Sequence, residues 1–104
     1  MDNEYYILKD KTPIPVDDFM EWAKWNQNAD RTVKKTEIGD IIISTVFLGL
    51  NHSFDAGTNK PLLFETMIFG GELDGDMWRY STWEEAEEGH EKAVQLVKEK
   101  LNQK

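Results

Sequence analysis

The chain has no cysteine and no apolar run approaching the roughly 18 residues that a membrane-spanning helix needs. Without thiols there is no disulfide framework, no thiolate zinc site and no cysteine nucleophile, which fits a reducing compartment. The first residues, MDNEYYILKDK, lack the basic-then-apolar pattern of a secretory signal. A cytoplasmic protein without membrane association is therefore expected. Positive charge is scarce as well: 12 lysines and arginines stand against 20 acids, for a net charge of −8. Nine of those acids lie between Glu65 and Glu91, where Arg79 is the sole cation. This balance speaks against direct binding to nucleic acid, because phosphate contacts need a basic footprint. It leaves room for an acidic surface that meets a basic partner or imitates nucleic acid.

What is present suffices for one globular domain. At 104 residues a single core is the limit, and 39% hydrophobic residues, including four Trp, three Tyr and five Phe, are enough to fill it. Tyr5 to Lys9 reads as a short strand, rich in β-formers and ended by KDK, Pro13 and Pro15; it is expected to pair at a sheet edge. Asp17 is a candidate N-cap for a helix to about Asn28, with Phe19, Trp22, Ala23 and Asn26 on one stripe. Arg31 to Ile38 and Ile41 onward read as a hairpin turned at Gly39-Asp40.

Ile41 to Leu50 and Leu62 to Phe69 carry apolar groups on both alternation faces. That pattern predicts central strands covered on both sides, or on one side by another subunit. If they pair about a symmetric loop, Thr45 lies opposite Thr66 and Val46 opposite Glu65. Asp74-Gly75 predicts a tight hairpin into Met77 to Tyr80, with Trp78 opposite Gly71. Ser81-Thr82-Trp83-Glu84 matches a capping box with Ser81 at the cap. The helix it opens has Trp83, Ala86, His90, Ala93, Val94, Val97 and Leu101 on its apolar stripe. The expected fold is α+β, β-α-β-β-β-β-α, with an antiparallel sheet of about five strands and two helices. Both helices would cover one side of the sheet, and a homo-oligomer would cover the other.

EWAKW (Glu21 to Trp25), NADRTV (Asn28 to Val33), ISTVFLGLNHSF (Ile43 to Phe54), PLLFETMIFGG (Pro61 to Gly71) and RYSTWEEAEEGH (Arg79 to His90) carry a likeness. Through them the chain resembles a family of small uncharacterised proteins of tailed bacteriophages and prophages, over about residues 5 to 97. The resemblance implies a phage accessory protein made in the bacterial cytoplasm, with a host-facing context and no assigned activity. Where the family carries an aspartate before the histidine, this chain has Asn51, which weighs against metal or proton chemistry at that position.

Several constellations were candidates for chemistry. His52, flanked by Ser53 and Asp55, has the residue types of a base oriented by a carboxylate beside a nucleophile, but no nucleophile elbow or glycine-rich oxyanion site accompanies it. The loop Asn51, His52, Ser53, Phe54, Asp55 reads instead as a recognition surface at the end of a covered strand. His52, Asp55, Glu65, Asp74, Asp76 and His90 are metal-donor types without diagnostic spacing, so no metal and no cofactor is assigned. Glu65 interrupts an apolar strand and needs a cation; Arg79 in the next strand is the available one. Their pairing reads as structural, or as the polar floor of a ligand pocket. His90, beside Gly89, reads as a satisfied core histidine under a closely packed helix. No catalytic residue is assigned. The expectation is a binding protein whose partner is a host protein or a small host molecule. The alternatives are an acidic DNA mimic that inhibits a nucleic-acid-binding host enzyme, and a small hydrolase or metal-dependent enzyme using His52.

Overall fold

Two residues in the left-handed region, Asp10 (φ 50°) and Lys11 (φ 74°), reverse the chain between β1 (Tyr5–Lys9) and β2 (Thr12–Val16). The computed structural model that places them describes residues 5–51 and 60–102. β2 was not legible in the sequence because Pro13 and Pro15 read as strand terminators. Their register explains their tolerance: Pro13 faces Leu8 and Pro15 faces Tyr6, while Lys9 and Thr12 close the two-residue turn. In such a hairpin the closing pair exchanges hydrogen bonds and every second pair points its amides outward, so the missing N–H groups leave the ladder intact. The outward N–H of Tyr6 donates to Gly49 O at 2.8 Å, tying this hairpin to the end of a strand in the larger sheet. Gly49, at φ 76°, lies so close to Tyr6 O and Trp22 that a side chain there has no room.

α1 (Phe19–Asn28) is capped one residue later than the sequence suggests: the Asp18 carboxylate accepts from the Met20 N–H at 2.9 Å. It lies on the β1–β2 hairpin through Tyr5, Phe19 and Trp22, whose ring centroids are 5.4–5.9 Å apart. None of its residues is buried. It touches the larger sheet through Trp25, edge-on to Phe47. The expectation that both helices cover the same sheet is therefore corrected, since α1 has its apolar stripe occupied by the hairpin.

The larger sheet has four antiparallel strands in the order β3-β4-β5-β6: β3 (Thr32–Ile38), β4 (Ile41–Phe47), β5 (Phe64–Phe69) and β6 (Met77–Tyr80). The class is α+β, with six strands among the described residues divided between two sheets rather than about five in one. Thr45 faces Thr66 and Val46 faces Glu65, the register inferred from the sequence. The β5–β6 connection differs from the expected tight turn. It runs through a longer loop in which Gly75 N–H donates to Ile68 O and Ile68 N–H to Asp76 O, a bulge with glycine at φ 89°. Trp78 consequently faces Thr66, and Gly71 lies against Ile41 instead.

α2 (Trp83–Leu101) is capped by Thr82, one residue after the expected cap. Thr82 Oγ1 accepts from Glu85 N–H at 3.0 Å, and Glu85 accepts from the Thr82 and Ser81 amides at 3.1 Å. Ala86, His90, Ala93, Val94 and Val97 bury its stripe against one face of the four-stranded sheet. The strands answer with alternation, buried at Ile41, Ile43, Thr45 and Phe47 on β4 and at Phe64, Thr66 and Ile68 on β5. The residues between them, Ile42, Ser44, Val46, Glu65, Met67 and Phe69, are not buried. The two central strands are thus covered on one side alone by the described residues of a single chain.

Candidate functional site

The core under α2 is divided. One apolar cluster holds Ile41, Ile43, Ile68, Ala93, Val94 and Val97; the other holds Phe47, Leu63, Phe64 and Ala86. Between them, each contributing element places a polar residue. Thr45 stands two residues from Ile43 and from Phe47, Thr66 likewise between Phe64 and Ile68, and His90 between Ala86 and Ala93. All three are fully buried. His90 Nδ1 is hydrogen-bonded to Thr45 Oγ1 at 2.7 Å and Nε2 to Thr36 Oγ1 at 2.8 Å. Thr45 and Thr66 share a hydrogen bond at 2.5 Å, and burial raises the Tyr80 pKa, with the Thr66 side chain holding it down.

Four side chains, on β3, β4, β5 and α2, therefore form one hydrogen-bonded seam. Burial pushes the His90 pKa down, with Glu91 opposing and Lys34 assisting. The imidazole is accordingly neutral, donating through one nitrogen and accepting through the other. Gly89 permits the close approach: a Cβ there would lie 2.2 Å from the Tyr80 ring. The sequence signalled His90 and Gly89, but Thr36 and Tyr80 carried no signal of their own, because threonine and tyrosine are ordinary strand residues. This seam has both imidazole nitrogens engaged and no carboxylate in it. Its chemistry is structural.

The recognition-loop candidates fare differently. His52, Ser53, Phe54 and Asp55 lie outside the described residues. Asn51 is described, and its Oδ1 accepts from the Leu62 N–H at 3.1 Å, tying together the two ends of the segment that joins β4 to β5. Among the described residues no group of three or more His, Asp or Glu side chains is placed to hold a metal ion.

Glu65 and Arg79 do meet. They face each other across β5 and β6, with Arg79 Nε donating to Glu65 Oε2 at 3.1 Å and side chains 27% and 15% exposed. Both lie on the sheet face away from α2. There they sit in an apolar field of Ile42, Val46, Met67, Phe69 and Met77, the last two 46% and 43% exposed. Lys35 and Glu37, opposite Ser44 and Ile42, bring a second pair to the same face, 4.0 Å apart. Among the described residues these two pairs bring two cations and two acids to that face, on a chain whose net charge is −8. No helix of the described residues is long and apolar enough to cross a membrane. No family model, curated protein or solved structure matches this chain.

Proposed function

We propose that this chain is a binding protein that assembles with a second copy of itself through the open face of its four-stranded sheet, and that the assembly engages a host protein or small host molecule. The supporting observation is that face: an apolar field, neutral in charge, on a strongly acidic chain. Exposed apolar area of this kind marks interaction surfaces. Two copies carrying −8 each repel over most of their surfaces, and repulsion is least where the local charges cancel. The likeness to small phage and prophage proteins favours an accessory role in an infected bacterium over metabolic catalysis.

The DNA-mimic reading finds less support. Of the acids from Glu84 to Glu91, Glu85 is held in the helix cap and Glu91 pairs with Lys34. A hydrolase reading rests on His52, outside the described residues. Sedimentation equilibrium of the native chain and of Val46→Lys with Met67→Lys tests the proposal. A concentration-dependent dimer that the paired lysines convert to a folded monomer is expected; a native chain that stays monomeric at 100-micromolar-order concentration overturns it.

A further inference from the structure

A cleft of about 520 Å³ runs between β6 and α2, on the side of the sheet opposite the proposed assembly face. Its floor is Trp78, Tyr80 and Leu62, and its far wall is the α2 stripe through Glu85, Glu88, Gly89, Lys92 and Leu96. It opens along β6, the terminal strand of the sheet. The hydrogen-bond parity of that strand is fixed by its neighbours. Ile68 N–H bonds Asp76 O in the same register that pairs Thr66 with Trp78 and Phe64 with Tyr80, so these pairs face inward. The backbone N–H and C=O groups of Met77 and Arg79 therefore point out from the edge, and among the described residues no strand pairs with them.

The two edges of this sheet are guarded unequally. β3 carries a register shift between Thr32 and Lys34, and it bears Lys34, Lys35 and Glu37, the features that discourage strand addition. β6 reads Met77-Trp78-Arg79-Tyr80, with its one charge held by Glu65. Beside this edge lies the cleft, whose α2 wall carries Glu85, held in the helix cap, Glu88 and Lys92.

We propose that β6 and the cleft beside it form a peptide-binding site. It takes an extended segment of a partner protein that adds as a strand to β6, places alternate apolar side chains against Trp78 and Tyr80, and carries a lysine or arginine to meet Glu88. Backbone pairing at Met77 and Arg79 gives affinity, while the cleft and Glu88 give specificity. A second copy of this chain pairing through the same edge is the competing occupant, and the dimer readout below separates it from the peptide. The site lies on a different surface from the assembly face and stands whether or not the chain dimerises.

The probe is an acetylated and amidated seven-residue peptide, Ser-Val-Ser-Leu-Ser-Lys-Ser, whose lysine shares the face of its apolar residues, fluorescently labelled and titrated with the full chain. It is compared with the same peptide N-methylated at alternate backbone positions, which keeps charge and composition and removes the donors. Saturable 1:1 binding is expected, weakened at least tenfold by the N-methyl groups. Met77→Pro on the protein removes an outward N–H, as Pro13 and Pro15 already do in β2, and should weaken binding by at least the same factor with far-UV circular dichroism unchanged. Glu88→Lys should weaken it several-fold at low salt and less at high salt.

Equal binding of the N-methylated peptide would show charge attraction without strand addition and would overturn the proposal, as would no binding of either peptide. A dimer that Met77→Pro dissociates, and that blocks the peptide, would assign the edge to a second copy and overturn it too. If Met77→Pro fails to fold, the comparison between the two peptides decides alone. Loss of dimerisation in the lysine variants with peptide binding retained would sink the assembly and leave this site standing.

Discussion

Replacing Thr45 by valine keeps the shape of a fully buried side chain and deletes one oxygen. That oxygen bonds both Thr66 and His90 Nδ1. Thr66 loses one hydrogen bond, about 1 kcal/mol. His90 Nδ1 is left with no partner in a dry site, and an unsatisfied buried polar atom costs about 1–3 kcal/mol. Thr45→Val should therefore destabilise the chain by about 2–4 kcal/mol, a fall in Tm of roughly 10–20 °C for a domain of this size.

Thr45→Ser is the control: it keeps the hydroxyl, removes one methyl and should cost about 1 kcal/mol. Urea unfolding followed by tryptophan fluorescence, at one fixed protein concentration so that any self-association contributes equally, measures both. In Thr45→Val with His90→Leu the stranded nitrogen is gone, so the double variant should lose less than the sum of the singles. A valine variant more stable than the serine variant would refute the claim that the hydroxyl, rather than the packing, is what this position requires.

His90 also makes stability depend on pH. Its folded pKa is depressed by burial, so the unfolded chain, with an ordinary value near 6.5, takes up a proton that the folded chain resists. Stability is then full above pH 6.5 and falls as pH drops below it; the difference in unfolding free energy between pH 7.5 and 5.5 should shrink in His90→Leu. Gly89→Ala raises helix propensity by about 1 kcal/mol, yet its Cβ would overlap the Tyr80 ring at 2.2 Å. It should destabilise the native chain and stabilise a Tyr80→Ala background, as thermal melts of the four proteins would show. Arg79→Met strands the Glu65 carboxylate on a part-buried face and should cost about 1–2 kcal/mol, a loss that adding Glu65→Leu recovers; urea midpoints decide.

The α+β class, both helices and all four strands of the larger sheet were legible because their signals are local: apolar runs bounded by turn residues at Ile41 to Leu50 and Leu62 to Phe69, a helical stripe from Ala86 to Val97, a capping signal before it. Errors arose where local chemistry permits two answers. Ser81 with Glu84 and Thr82 with Glu85 both satisfy a capping box, and helix packing selects the second. Prolines at alternate positions end a central strand but suit an outward-facing one, and nothing local tells the two apart. The cover of the sheet failed for another reason. A stripe shows that a helix packs on something, without saying on what, and α1 found the β1–β2 hairpin first.

The seam and the open face are linked by the long connection between β4 and β5. Sixteen residues join these strands, a loop too long to fix their register, and both strands are apolar enough to slide. A slip of two residues keeps every side chain on its own face and leaves hydrophobic burial nearly unchanged. It would, however, set Thr45 against Phe64 or Ile68 and Thr66 against Phe47 or Ile43, breaking their shared hydrogen bond inside the core. Three buried polar groups at one level of the sheet penalise each such slip by several kcal/mol, on the order of their unsatisfied bonds. On the other face the Glu65–Arg79 pair joins β5 to β6 and moves with them, so it does not select the β4–β5 register. The buried polar residues of the α2 face thus select the β4–β5 register, the one in which Ile42 lies opposite Phe69 and Ser44 opposite Met67 on the open face.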